Sequence, residues 1–170
     1  EHLAGMTLIR SVGPTVRAIA ELDQEGVAQY QFSFAWDLGD LALEVPPTSH
    51  LHVGSLSAVC SPGADRVLEI VSRHSGTVSY DPNWRAGLAP PGARERAEHL
   101  MSLATVVKLS EEDAAALFPE KSAEVLARRL LQRGPGVVVL TRGGDGAEAW
   151  TTASHERVPV PAGGPIVDTV

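Results

Sequence analysis

The sequence predicts an α/β fold, a mostly parallel sheet flanked by helices and preceded by a small antiparallel β-hairpin. Three observations lead there. From about residue 50 onward, short apolar runs alternate with amphipathic segments of helical period, the pattern of a parallel sheet covered by helices. Between residues 15 and 34 the period is two instead, as in a half-buried hairpin. Polar and glycine-rich stretches follow each apolar run, which is where strands of a parallel sheet end and loops begin. With 170 residues, 44% of them hydrophobic, the chain is long enough to bury the core such a fold requires.

In the hairpin, Val16, Ala18, Ala20 and Leu22 alternate with polar neighbours, as do Ala28, Tyr30, Phe32 and Phe34. Asp23-Gln24-Glu25-Gly26 supplies the turn, with Gly26 free to take a positive φ. Pro46-Pro47 interrupts any regular element and puts the boundary of the α/β part within residues 39–49. A first strand over 51–54 leads to Ser61-Pro62, read as a cap followed by proline at the first helical position. Val67, Leu68, Val71 and His74 then share a helix face, and Gly76 ends that helix. A strand over 77–80 runs into Asp81-Pro82-Asn83-Trp84-Arg85, and a helix follows over 94–103. The strand over 105–109 meets Ser110-Glu111-Glu112-Asp113, a capping box with Ser110 at the cap and Asp113 reaching back. Helical segments over 114–118 and 123–132 precede a strand over 137–140, the turn Thr141-Arg142-Gly143-Gly144-Asp145-Gly146, and a further strand over 147–150.

Composition excludes several classes. Asp and Glu number 21 against 14 Lys and Arg, for a net charge of −7 with no basic block, so nucleic acid and anionic membrane are not expected partners. The longest apolar run falls far short of the roughly 18 residues of a membrane span. A lone Cys60 excludes an internal disulfide, and without a recognisable leader the expected compartment is the cytoplasm. His50 and His52 could share a strand face, but one thiol and no His-x-x-x-His spacing make a satisfied structural pair the better reading than a metal site. Trp36, Trp84 and Trp150 read as packing residues.

The chemistry is therefore sought at the strand ends. The turn over 141–146 offers three glycines, a threonine hydroxyl and an arginine, ingredients suited to phosphate oxygens. It is neither a Walker loop nor a dinucleotide fingerprint, and a plain tight turn is the alternative. Asp81, Asn83 and Arg85 at one strand end suit a hydroxyl-rich or anionic ligand, unless Arg85 merely pairs with Asp81. Ser110 to Asp113, on its own, is most economically a helix cap.

Taken in order, these pieces resemble the ribokinase-like PfkB family of carbohydrate kinases, and most of all its bacterial fructokinase branch. The resemblance rests on Gly13-Pro14-Thr15 with the hairpin after it, His52-Val53-Gly54-Ser55-Leu56, Asp81-Pro82-Asn83-Trp84-Arg85, Val107-Lys108-Leu109-Ser110-Glu111-Glu112-Asp113, the turn over 141–146, and Asp168-Thr169-Val170. It covers about residues 12–170.

The resemblance implies a ribokinase-like fold in which residues 1–45 hold part of a β lid and its connections, and residues 46–170 the central part of a nucleotide-binding α/β domain, incomplete at both ends. It implies ATP-dependent phosphorylation of a sugar hydroxyl, with Mg²⁺ and K⁺ as cofactors and a homodimer through the lid. Thr141, Gly143, Gly146, Lys108 and Ser110 match nucleotide-binding positions; Asn83, Arg85 and Phe32 match positions near the sugar or the transferred phosphate; Asp168 matches a monovalent-cation position. Ser110 and Asp113 stand where many members carry Asn and Glu. The family's Asp-Thr-x-Gly-Ala-Gly-Asp signature is represented only by Asp168-Thr169-Val170, so the catalytic Asp and its anion hole are not among these residues, and the chain alone is expected to be an inactive middle segment of a kinase. The lid strand over 27–34 offers no cation for an acidic substrate, favouring a neutral sugar. The alternatives are a 2-keto-3-deoxygluconate kinase and a non-catalytic truncated family member.

Overall fold

A computed structural model describes residues 17–22, 28–33, 36–37, 49–120 and 122–161. The hairpin strands β1 (Arg17–Leu22) and β2 (Ala28–Ser33) pair antiparallel, from Arg17 opposite Ser33 to Leu22 opposite Ala28. They form a two-stranded sheet of their own. The expected turn at Gly26 lies outside the described residues, as does Asp168.

The second sheet has six strands in strict chain order: β3 (His50–Gly54), β4 (Thr77–Asp81), β5 (Val106–Ser110), β6 (Val137–Thr141), β7 (Ala147–Trp150) and β8 (His155–Val158). The first four run parallel and the last two antiparallel. Helices α1 (Gly63–Arg73), α2 (Ala93–Leu103), α3 (Glu111–Leu117) and α4 (Ala123–Leu131) fill the crossovers. Right-handed crossovers between successive neighbours lay connecting helices on one face of a sheet. The burial pattern follows. Val53, Val78, Tyr80, Val107, Leu109, Val138, Leu140 and Trp150 are buried in one cluster with Val71, Leu100, Met101, Leu117, Leu126 and Leu130 from the helices. Each fully buried leucine of this cluster contributes about 2–3 kcal/mol of transfer free energy.

The alternate row, His50, His52, Ser79, Val106, Lys108, Val137 and Val139, is half-buried or exposed. Its polar members satisfy one another: His50 reaches Thr77 Oγ1 and Ser79 Oγ through its two ring nitrogens, each at 2.8 Å, and His52 Nδ1 lies 2.8 Å from Ser79 Oγ. The Ser79 hydroxyl thus bridges the two histidines. The tryptophans pack as expected, Trp150 fully inside and Trp84 partly.

Element limits differ from the sequence expectation by a residue or so, with two informative exceptions. Ser61 does not cap α1. Pro62 occupies the N-cap position, and the Ser61 hydroxyl lies 3.3 Å from the Asp65 carboxylate, which also pairs with Arg96 at 2.6 Å. His74 does not extend the apolar face of α1 but is its C-cap residue, with Nε2 2.9 Å from the Ser49 carbonyl. No helix among the described residues is long and apolar enough to cross a membrane.

Candidate active site

The capping box at the β5–α3 junction forms as its spacing predicts. Asp113 N–H donates to Ser110 Oγ at 3.0 Å, and Ser110 N–H donates to Asp113 Oδ2 at 2.9 Å. The other carboxylate oxygen, Oδ1, accepts the Trp84 N–H at 2.6 Å. Asp113 is 2% exposed, so a buried carboxylate ties the loop after β4 to the loop after β5. A second bridge spans the same strands: Lys108 Nζ lies 3.1 Å from Asp81 Oδ2, and Asp81 Oδ1 accepts the Asn83 N–H at 3.3 Å. Asp81 therefore pairs with Lys108, not with Arg85. Arg85 is exposed and donates to the Trp84 carbonyl at 3.0 Å. Asn83 is in the left-handed region, φ 41°, which asparagine tolerates well.

The turn after β6 is closed by its own backbone: Arg142 N–H donates to the Gly146 carbonyl at 2.8 Å and Gly146 N–H to that of Gly143 at 3.2 Å. The two glycines serve different ends. Gly146 has φ +90°, and a Cβ there would sit 2.1 Å from the Val158 carbonyl oxygen, so the close approach of β8 requires glycine. Gly143 has φ +50° with open space around it and stands exposed beside Gly144 at the apex. Thr141 Oγ1 lies 3.4 Å from the Leu109 carbonyl, which links the base of this turn to β5.

Arg142, grouped by its sequence context with the phosphate-suited residues, forms ion pairs with two carboxylates, although its Nε has no aligned hydrogen bond among the described residues. Nη1 is 3.1 Å from Glu111 Oε1 and Nε is 2.8 Å from Glu148 Oε1. Beneath the site, burial and the charges of Asp81 and Asp113 push the Tyr80 phenol well above the ordinary tyrosine range. Its hydroxyl is buried with no hydrogen-bond partner among the described residues.

Six of the eight expected positions with described geometry thus lie at the carboxyl ends of three adjacent strands: Asn83 and Arg85 after β4, Lys108 and Ser110 on β5, and Thr141 and Gly143 at the end of β6. Gly146 closes the same turn. Phe32 lies on β2, opposite Ala18. The sequence assigns no separate role to Glu111 or Glu148, and it offers Asp113 as a cap that stands where many family members carry Glu. A metal is poorly served by what is described. Both Asp113 oxygens accept backbone N–H groups, and no cluster of three His, Cys, Asp or Glu that could hold an ion occurs among the described residues.

The sequence profile of the pfkB family carbohydrate kinases matches residues 14–170. The chain belongs to that family. Its ribokinase-like fold agrees: a fructokinase double mutant from Vibrio cholerae O395, in its fructose, ADP and potassium ion bound form, superposes with a TM-score of 0.77 at 26% identity, covering 92% of this pfkB chain and 54% of that one. A fructokinase with bound ATP from Xylella fastidiosa gives 0.69 at 25% identity, over 88% and 50%. The fructokinase of Rhizobium leguminosarum bv. trifolii is 31% identical over 155 residues, 86% of this pfkB chain and 44% of the relative. The pfkB chain spans about half the length of the curated fructokinases it matches.

Proposed function

We propose that these 170 residues are the nucleotide-holding middle of an ATP-dependent sugar kinase whose acceptor is a neutral ketohexose, fructose in the first instance. One observation carries the reading. The loops over 81–85, 108–113 and 141–146 stand side by side at one sheet edge, where strand ends and loops of a parallel sheet converge on ligands. They are held at fixed spacing by Trp84–Asp113, Asp81–Lys108 and Arg142–Glu111. The fructose and ADP bound by the Vibrio relative, and the ATP bound by the Xylella one, support the choice of substrates.

In this reading the exposed apex at Gly143 and Gly144 lets phosphate oxygens approach the backbone, as a side chain there would not. Lys108 adds a positive charge at the adjacent strand end, 37% exposed and oriented by Asp81. Thr141 and Ser110 flank that space, while Asn83 and Arg85 face the acceptor sugar or the transferred group. The acceptor hydroxyl attacks the γ-phosphorus in line, and positioning with charge stabilisation does most of the work. Mg²⁺, when bound with the nucleotide, would neutralise charge on its phosphates, and no group of three or more His, Cys, Asp or Glu among the described residues would hold it. The general base and anion hole belong to the Gly-Ala-Gly-Asp signature, which the 170 residues do not contain. Asp168 as a potassium position, Phe32 as a sugar contact, a cytoplasmic location and a homodimer through the hairpin complete the proposal.

The test is ADP release by the chain completed to the length of its relatives, with fructose, fructose 6-phosphate and 2-keto-3-deoxygluconate as acceptors. Fructose-dependent turnover is expected. Turnover only with an acidic or phosphorylated acceptor would move the assignment, and ADP release with none of them would refute it.

A further inference from the structure

Glu148 is out of place by ordinary rules. It sits opposite Leu140 on the helix-covered face of the sheet, in the row of Val138 and Trp150, and is 8% exposed. A carboxylate in such a row is costly unless its charge is matched. Two groups face it: Arg142, whose Nε lies 2.8 Å from Oε1 as an ion pair without hydrogen-bond alignment, and His155, whose Nε2 is within hydrogen-bond distance of Oε2 at 2.7 Å. The His155 ring stacks on Trp150, centroids 4.7 Å apart and planes 4° from parallel, so this arm is fixed as well. On its other side Arg142 reaches Glu111, the first residue of α3 and the neighbour of Ser110. One guanidinium therefore links the glycine turn, the β5–α3 junction and the antiparallel edge of the sheet.

We propose that Arg142 and Glu148 are positioning residues, a strut anchored on the buried Glu148 that sets the spacing between the glycine turn and the β5–α3 junction, and that Arg142 is not a phosphate ligand. The inference rests on the nucleotide reading above and deepens it. Its charge is already shared between two carboxylates, and a phosphate would have to displace one of them. The Glu148 arm is the stronger of the two, because Glu111 is half exposed and an exposed pair contributes little.

The experiment compares Glu148→Gln, Glu111→Gln and the double variant Arg142→Met/Glu148→Leu in the chain completed to its relatives' length. Readouts are KM for ATP, KM for the sugar, kcat, melting temperature and ADP affinity by calorimetry. Glu148→Gln is expected to raise KM for ATP about tenfold, a modest loss for a misplaced binding element, with sugar KM unchanged. Glu111→Gln should have a smaller effect in the same direction. The double variant removes the buried carboxylate together with its partner charge, so it should melt near the parent protein while keeping the raised ATP KM. If the stably folded double variant binds ATP and ADP as the parent does, the strut has a purely structural role and the inference is overturned. A selective loss of ADP affinity, in a parent that phosphorylates no sugar, would uphold the strut while refuting the sugar-kinase reading.

Discussion

The Trp84 N–H donates to Asp113 across 29 positions of sequence, at 2.6 Å, using the carboxylate oxygen that the α3 capping box leaves over. The side chain that starts a helix therefore also closes the loop expected to face the sugar. Site geometry and helix nucleation share one residue, so substitutions there should be felt in both.

Asp113→Ala should lower stability by about 2–4 kcal/mol, from a lost cap plus a backbone N–H left without its acceptor. Asp113→Asn keeps an acceptor and should lose less. Denaturant unfolding of the two variants against the parent checks the order. Equal losses would mean that the second hydrogen bond contributes nothing.

The two glycines of the β6–β7 turn should separate. Gly146→Ala forces a Cβ against the Val158 carbonyl and should cost about 2–4 kcal/mol of stability. Gly143→Ala meets open space and should cost about 1 kcal/mol for its left-handed φ. In the completed enzyme it should nevertheless raise ATP KM by up to about tenfold, the equivalent of one hydrogen bond. Thermal melts beside ATP saturation curves decide this. An unchanged ATP KM in Gly143→Ala would remove the apex from the nucleotide site.

Among the described residues, Arg85 donates only to its neighbour's carbonyl and leaves Asp81 to Lys108. Arg85→Ala should therefore change stability by less than about 0.5 kcal/mol. In the completed enzyme its kcat/KM for the sugar should fall clearly. A large drop in melting temperature with kinetics retained would make Arg85 structural.

Tyr80 buries a hydroxyl that has no partner among the described residues, beside two carboxylates. Tyr80→Phe should be neutral or stabilising by up to about 1 kcal/mol. The folded phenol titrates above its unfolded value of about 10, so its contribution is fully present below that pH and declines as pH rises beyond it. Tyr80→Phe should flatten this alkaline loss, and melting temperatures from pH 8 to 11 would reveal an unchanged slope if the phenol is not responsible.

A polypeptide of the 170 residues alone should release no ADP in response to fructose, since the Gly-Ala-Gly-Asp signature is not part of it. Turnover equal to that of the completed protein would put the catalytic machinery inside these residues.

What could be read in the sequence was local or periodic. The hairpin strands, the four parallel strands and their helices announced themselves through periods of 2 and 3.6, because apolar residues must share a face to be buried together. Ser110 and Asp113 are three positions apart, within reach of one helical turn, so their cap was visible without a partner strand. β8 was not: His155, Glu156, Arg157 and Val158 are all exposed and carry no apolar period. They form a strand because the backbone of β7 offers a ladder to pair with. The same holds for the bridges of the site. Asp81 with Lys108, Trp84 with Asp113, and Arg142 with Glu111 are neighbours only once the order and register of β4, β5 and β6 bring their carboxyl ends to one edge. Charge and hydrogen-bonding capacity were legible residue by residue. Which groups neutralise one another was decided by sheet register, since such contacts act over about 3 Å in space and are indifferent to separation along the chain.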